Sequence, residues 1–161
     1  GGHCIPVYPR LYLHTDPDAT IVRTAREANM TMPGYTVGLL EGALGELTGK
    51  TVVVLGASYR GKVKETAFSG VFPAVAALER RGARALVHDP MFSDDELREH
   101  GLKPYRLGEE TNAAIVQADH PEYAGLRPQD LPGVEALVDG RRVTDPELWA
   151  GVRHIRLGDG A

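Results

Sequence analysis

The residue best suited to covalent chemistry is Cys4, the only cysteine among 161 residues, set in Gly1-Gly2-His3-Cys4-Ile5-Pro6. Without a second thiol it can form no disulfide within the chain, nor the paired thiolates of a zinc site. Inert packing and nucleophilic chemistry remain. The glycines before it permit positive φ and leave room for a ligand to approach the sulfur, which a buried structural cysteine would not need.

Two cationic segments could serve an anion. Arg60, Lys62 and Lys64 follow Val54-Leu55-Gly56-Ala57-Ser58-Tyr59, and Arg141 and Arg142 follow Asp139-Gly140. Either set suits a phosphate, and either could equally be a solvated turn. The loop after Leu55 has one glycine where a dinucleotide fingerprint has three, and Asp89 stands 33 residues beyond Gly56 rather than about 20. The chain is therefore not expected to hold NAD by itself. Six histidines and one cysteine show no paired-ligand spacing, so no metal site is expected. Ser58 and Ser69 lack the glycine-flanked elbow of a hydrolase, and Trp149 and the tyrosines are assigned to packing.

The elements that must position these residues follow from periodicity. Asp16-Pro17-Asp18 is expected to cap a helix from about Ala19 to Asn29; Thr31-Met32-Pro33 should break it, and a second helix should run to about Leu47 before Gly49. Gly34, Gly38 and Gly42 recur every four residues along it, each costing about 1 kcal/mol relative to Ala. That stripe reads either as drift in a glycine-rich chain or as a surface for a closely packed helix. From Thr51 the pattern alternates. Strands are expected at 51–55, 85–88, 113–117, 135–138 and 153–157, and helices at 73–81, 94–100, 121–126 and 146–149. Ser93-Asp94-Asp95-Glu96 and Thr144-Asp145-Pro146-Glu147 have the form of capping boxes. Such alternation implies a parallel sheet covered on both faces, with its ligand crevice beyond the strands' carboxyl ends, at 56–64 and near Asp89 and 139–142.

In order and spacing, Gly1-Gly2-His3-Cys4-Ile5-Pro6-Val7-Tyr8-Pro9 and Gly56-Ala57-Ser58-Tyr59-Arg60 resemble the nucleotide-sugar 6-dehydrogenases. The branch acting on UDP-N-acetylhexosamines, where these segments read GGHCIPVDP and GLAYK, is the most similar. Asn29, Met32-Pro33, His88-Asp89-Pro90, Asp119-His120 and Asp139-Gly140-Arg141 also sit where that family has similar residues. The resemblance implies an α/β fold: a helical dimerisation segment, then a doubly wound, Rossmann-like parallel sheet that binds the UDP-sugar. It divides the chain into a catalytic Cys loop (1–17), the helical segment (18–49) and the UDP-sugar domain (50–161). It also implies an NAD-binding domain upstream, so that the chain would be the C-terminal part of a longer protein, inactive alone.

By the same resemblance Cys4 is the catalytic nucleophile of a two-step oxidation of the C6 alcohol to a carboxylate, through a thiohemiacetal and a thioester. Gly1, Gly2, His3, Tyr59, Arg60 and Arg141 would contact the substrate. The chain departs from the pattern at Tyr8, where the family has Asp, at Arg60 for Lys, and at Ala67 and Gly70 for Arg and Pro. These departures leave a second reading, a degenerate homologue that binds nucleotide sugars or regulates. A homodimer through helix 33–47 is implied as well. Composition narrows the partners: a net charge of −4 argues against nucleic acid, no apolar run suggests a membrane span, and a single free thiol fits a cytoplasmic protein.

Overall fold

The computed structural model describes Gly2 and residues 4–159. A five-stranded, all-parallel sheet forms its centre, with β1 Thr51–Leu55, β2 Arg84–His88, β3 Ala113–Val116, β4 Ala136–Asp139 and β5 Arg153–Arg156 in the spatial order β2-β1-β3-β4-β5. Each strand lies within about a residue of its expected place. The α/β, doubly wound class follows from the sequence because the inner strands β1, β3 and β4 are short apolar runs buried on both faces.

Successive β1 residues serve opposite cores. Val52 and Val54 join Val37, Leu40, Leu47, Val71 and Leu78 on one face. Val53 and Leu55 join Tyr105, Tyr123, Leu131, Leu137 and Trp149 on the other. Helices α1 Cys4–Thr15 and α2 Thr20–Leu44 precede the sheet, α3 Val71–Glu79 links β1 to β2, and α4 Asp94–Glu99 follows β2. Helices α2 and α3 cover the first face. The second is covered largely by short 3-10 turns, at Pro121–Gly125, Pro128–Asp130 and Pro146–Trp149, where two short helices were expected. No described helix is long and apolar enough to cross a membrane.

Several local expectations are corrected. The segment expected as a loop through residue 17 is helical from Cys4, with Pro6 in its first turn, where proline is tolerated, and Pro9 inside it. Helix α2 runs unbroken through Pro33. The carbonyl freed by each internal proline belongs to Ile5 or Asn29, both exposed, so water can take the bond. The helix ends at Leu44 rather than Leu47, because Gly45 adopts φ +76°. Asp16 does not cap α2; its carboxylate instead accepts from the Tyr12 hydroxyl, and Ala19 occupies the cap position. The box at Ser93 and Glu96 forms as expected. That at Thr144 does not, because the Thr144 hydroxyl donates to Asp139 at 2.6 Å and Asp145 caps the turn instead.

Candidate functional site: an arginine-lined cleft at the strand ends

The loop after β1 is pinned from three sides. The buried Asp89 carboxylate, at the end of β2, accepts from the backbone N–H of Ala57 (2.8 Å), Ser58 (3.1 Å) and Met91 (2.9 Å). His120 Nε2 stands 3.1 Å from Asp89, ion-pair range, but its angle is not that of a hydrogen bond. With its amide oriented to suit both neighbours, Gln117 donates to the carbonyls of Gly56 and Ser58, each at 2.8 Å. Gly61 N–H donates to Asp119 at 3.0 Å. Two glycines permit this closeness: a Cβ on Gly56 would stand 2.7 Å from Ala118 N, and one on Gly61 2.7 Å from His120 N. Lys62, Phe68 and Arg142 hold positive φ in the neighbouring loops, the kind of strain that persists only where the surroundings enforce it.

Above these strand ends a cleft of about 630 Å³ opens between the sheet and the two N-terminal helices. It lies between β1 and β3, where the strand order reverses, the position at which open parallel sheets bind ligands. Its sheet wall presents Tyr59, Phe68, Phe72 and Arg141; its helical wall presents Arg10 from α1 and Arg26 from α2. No carboxylate lines it among the described residues. In a chain of net charge −4, a concavity with three guanidinium groups and no acid attracts anions. The three aromatic rings offer apolar and stacking surface beside that charge.

Arg141 is only partly free. Its guanidinium lies 2.7 Å from Asp119, whose carboxyl is drawn down to about 2, first by the Gly61 N–H and then by Arg141. On the far side of the β1 loop, burial lowers the His88 imidazole and raises the Tyr123 phenol, which donates to the His88 carbonyl at 2.9 Å. That cluster does not border the cleft.

The structure brings together some of the residues singled out by sequence and not others. Gly2 packs on the Tyr59 ring, 3.1 Å from ring carbon to the position a Cβ would take, so the start of the Cys segment meets the β1 loop. Tyr59 and Arg141 line the cleft; Gly1 and His3 lie outside the described residues. Cys4 is exposed at the first turn of α1 and does not itself line the cleft, although Pro6, two residues on, does. Arg60 does not line the cleft; its guanidinium lies over the Tyr59 ring, 5.9 Å from the centroid. Lys64 is spent on Glu96 and the Phe92 face, and Arg142 on Asp159, so neither set of basic residues acts as a unit. Asp89, expected near the crevice, is committed to the backbone beneath it.

Sequence reasoning missed Arg10, Arg26, Phe68 and Gln117. Gln117 directly follows β3 and could have been found from that alone, whereas Phe68 lies in the long connection between β1 and α3. Arg10 and Arg26 carry no local signal. Among the described residues, no group of three or more His, Cys, Asp or Glu side chains could hold a metal. The dinucleotide cofactor implied by the resemblance does not fit the β1 loop, since Asp89 already occupies the Ala57 and Ser58 amides that would face a pyrophosphate.

Comparison with known proteins gives the family and the fold. The model of the UDP-glucose/GDP-mannose dehydrogenase family, UDP binding domain, matches residues 53–146. The chain is 27% identical to UDP-N-acetyl-D-mannosamine dehydrogenase of Methanococcus vannielii over 100% of its own length and 40% of that protein. Among solved structures it is similar to the UDP-N-acetyl-D-mannosamine dehydrogenase of Pyrococcus horikoshii (TM-score 0.77, 25% identity, 99% of this chain and 39% of that one). It is similar also to a UDP-glucose dehydrogenase of Pyrobaculum islandicum (TM-score 0.71, 29% identity, 93% of this chain and 38% of that one). The chain thus spans about 40% of the length of the curated relatives it matches.

Proposed function

Because the chain belongs to the UDP-glucose/GDP-mannose dehydrogenase family, whose UDP binding domain it carries, we propose that it is the nucleotide-sugar half of an NAD-dependent UDP-sugar 6-dehydrogenase, acting in the cytoplasm on a UDP-N-acetylhexosamine. The observation that carries this reading is the acid-free cleft at the strand ends, with Arg141 and the Tyr59, Phe68 and Phe72 rings on its sheet wall. Arg141 would meet the diphosphate while the rings cover the apolar parts of the ligand.

NAD would be held by residues outside this chain, where it would accept hydride. This chain would contribute binding, orientation and a nucleophile. The substrate's C6, once at the aldehyde level, would be attacked by the Cys4 thiolate, forming a C–S bond as the carbonyl π electrons move to oxygen. Tyr8, where the family has Asp, is exposed and would be a poor general base near neutral pH, so hydrolysis of the later thioester is expected to be slow. Calorimetric titration with UDP and UDP-N-acetylhexosamines, with NAD as a control, tests the reading. UDP binding without NAD binding supports it; no UDP binding overturns it.

Tyr8, together with the absence of Cys4 from the cleft lining, favours one second reading: a homologue that binds nucleotide sugars without oxidising them. Cys4 alkylating at pH 6 much faster than free cysteine would argue for the enzyme, and alkylation at the free-cysteine rate for the binding module.

The assembly proposed with it is a homodimer through the second half of α2, from Pro33 to Leu44, in place of the expected helix 33–47. Supporting this, a Cβ at Gly34, Gly38 or Gly42 meets nothing within 4 Å beyond the helix's own backbone, and Tyr8, Leu11, Tyr12, Ile21 and Met30 are exposed on the same pair of helices. Gly38→Leu should dissociate the dimer in sedimentation; an unchanged mass would exclude the stripe.

A further inference from the structure

Three arginines reach the cleft, but their electrostatic circumstances differ. Arg141 shares its charge with Asp119 at 2.7 Å. Arg10 forms no hydrogen bond or ion pair with any described residue. Arg26 donates only to the neutral Asn29 side chain, at 2.7 Å. The uncompensated positive charge of the cleft therefore stands on its helical wall, on two side chains that come from different helices and face the aromatic sheet wall. Long cationic side chains left unpaired around one concavity repel each other, a cost that a bound anion would remove.

We propose that Arg10 and Arg26 grip the diphosphate of the nucleotide sugar from the helical side, so that the ligand bridges the two N-terminal helices to the sheet. The assignment rests on the nucleotide-sugar reading above and extends it to two residues that sequence analysis did not single out, Arg10 on α1 and Arg26 on α2. Guanidinium groups suit the task because each can donate two parallel N–H bonds to phosphate oxygens. The diphosphate would then lie between Arg141 on the sheet and the two helical arginines, with the nucleoside rings on the Tyr59 and Phe68 side.

The test is titration of the 161-residue chain and its Arg10→Ala and Arg26→Ala variants with UDP and with uridine, at low and moderate salt. Arg10 is exposed and Arg26 half-buried, so both variants are expected to fold, which circular dichroism checks; Arg10→Lys and Arg26→Lys serve as charge-retaining companions. Each alanine variant should bind UDP about tenfold more weakly, keep its uridine affinity and show a shallower salt dependence, with the lysine variants intermediate. Unchanged UDP affinity overturns the assignment, as does equal loss of UDP and uridine binding, which would mark a merely structural role. Wild-type chain that fails to bind UDP overturns the nucleotide-sugar reading and this assignment together. Wild-type binding with unaffected variants overturns the assignment alone.

Discussion

The helical arm, residues 4–35, and the sheet unit, residues 51–159, are built on opposite terms. In the arm only Pro6 is buried, and Ile21 is 86% exposed. In the sheet unit two apolar clusters sandwich five strands, and two buried carboxylates are held by several bonds each: Asp89 by three backbone amides, and Asp139 by Thr144 and the Arg141 N–H. Helix α2 spans both regimes, exposed along its first half and packed through Thr36, Val37 and Leu40 in its second. The cleft lies where the two meet. A rigid wall supplies aromatic rings and a fixed arginine, and a wall with almost no core supplies unpaired charge, so the arm's order depends on what it contacts.

The largest expected consequence is in amide hydrogen exchange. Residues 20–31 should exchange at least about a thousandfold faster than β1 and β3, since local opening costs little where few apolar contacts must break. UDP should slow the arm and leave the strands unchanged. Equal protection of arm and strands in the free chain would break the comparison.

Single substitutions sharpen it next. Trp149→Ala should cost about 3–5 kcal/mol in urea unfolding, chiefly through the cavity left in the second cluster, because its Nε1 has no hydrogen bond to lose. Ile21→Ala should change stability by less than about 0.5 kcal/mol. A substantial loss from Ile21→Ala would reveal packing on the arm, and sedimentation of that variant would show whether a second copy supplies it.

The smallest effect is the pH dependence of the Asp119–Arg141 pair. The folded Asp119 carboxyl is depressed from an ordinary value of 3.8 to about 2, so its contribution is present above about pH 4 and lost as pH falls through 2. The side chain is about half exposed, which limits the contribution to under about 1 kcal/mol. Carbon-detected NMR titration of Asp119 reads this directly, and a midpoint near 3.8 would mean that neither the Gly61 N–H nor Arg141 holds the carboxylate in solution.

Much of the sheet was legible because its signals are local. Apolar runs of four or five residues, a serine three residues before a glutamate, and a glycine after a helix each act over one turn of chain. The Cys segment was legible as a motif, but its shape was not. The resemblance implied a loop, and a helix forms nonetheless, since exposed carbonyls lose nothing to water when proline removes their partner. The basic run at 60–64 misled for a different reason: whether a lysine faces a cleft or a carboxylate depends on Glu96, 32 residues away.

By itself the sequence determined the five strands, their parallel order of helix and strand, and the kinship carried by Cys4 and its neighbours, because these depend on period, caps and local residue type. Tertiary structure alone decided that Asp89 would lock the β1 loop rather than face a ligand, and that Asp119 would hold Gly61 from 58 residues away. It also decided that Arg10 and Arg26 would meet Arg141 across one cleft. The reason is physical: charges gain or lose a partner through contacts between distant segments, and no local pattern in the chain encodes which segments those are.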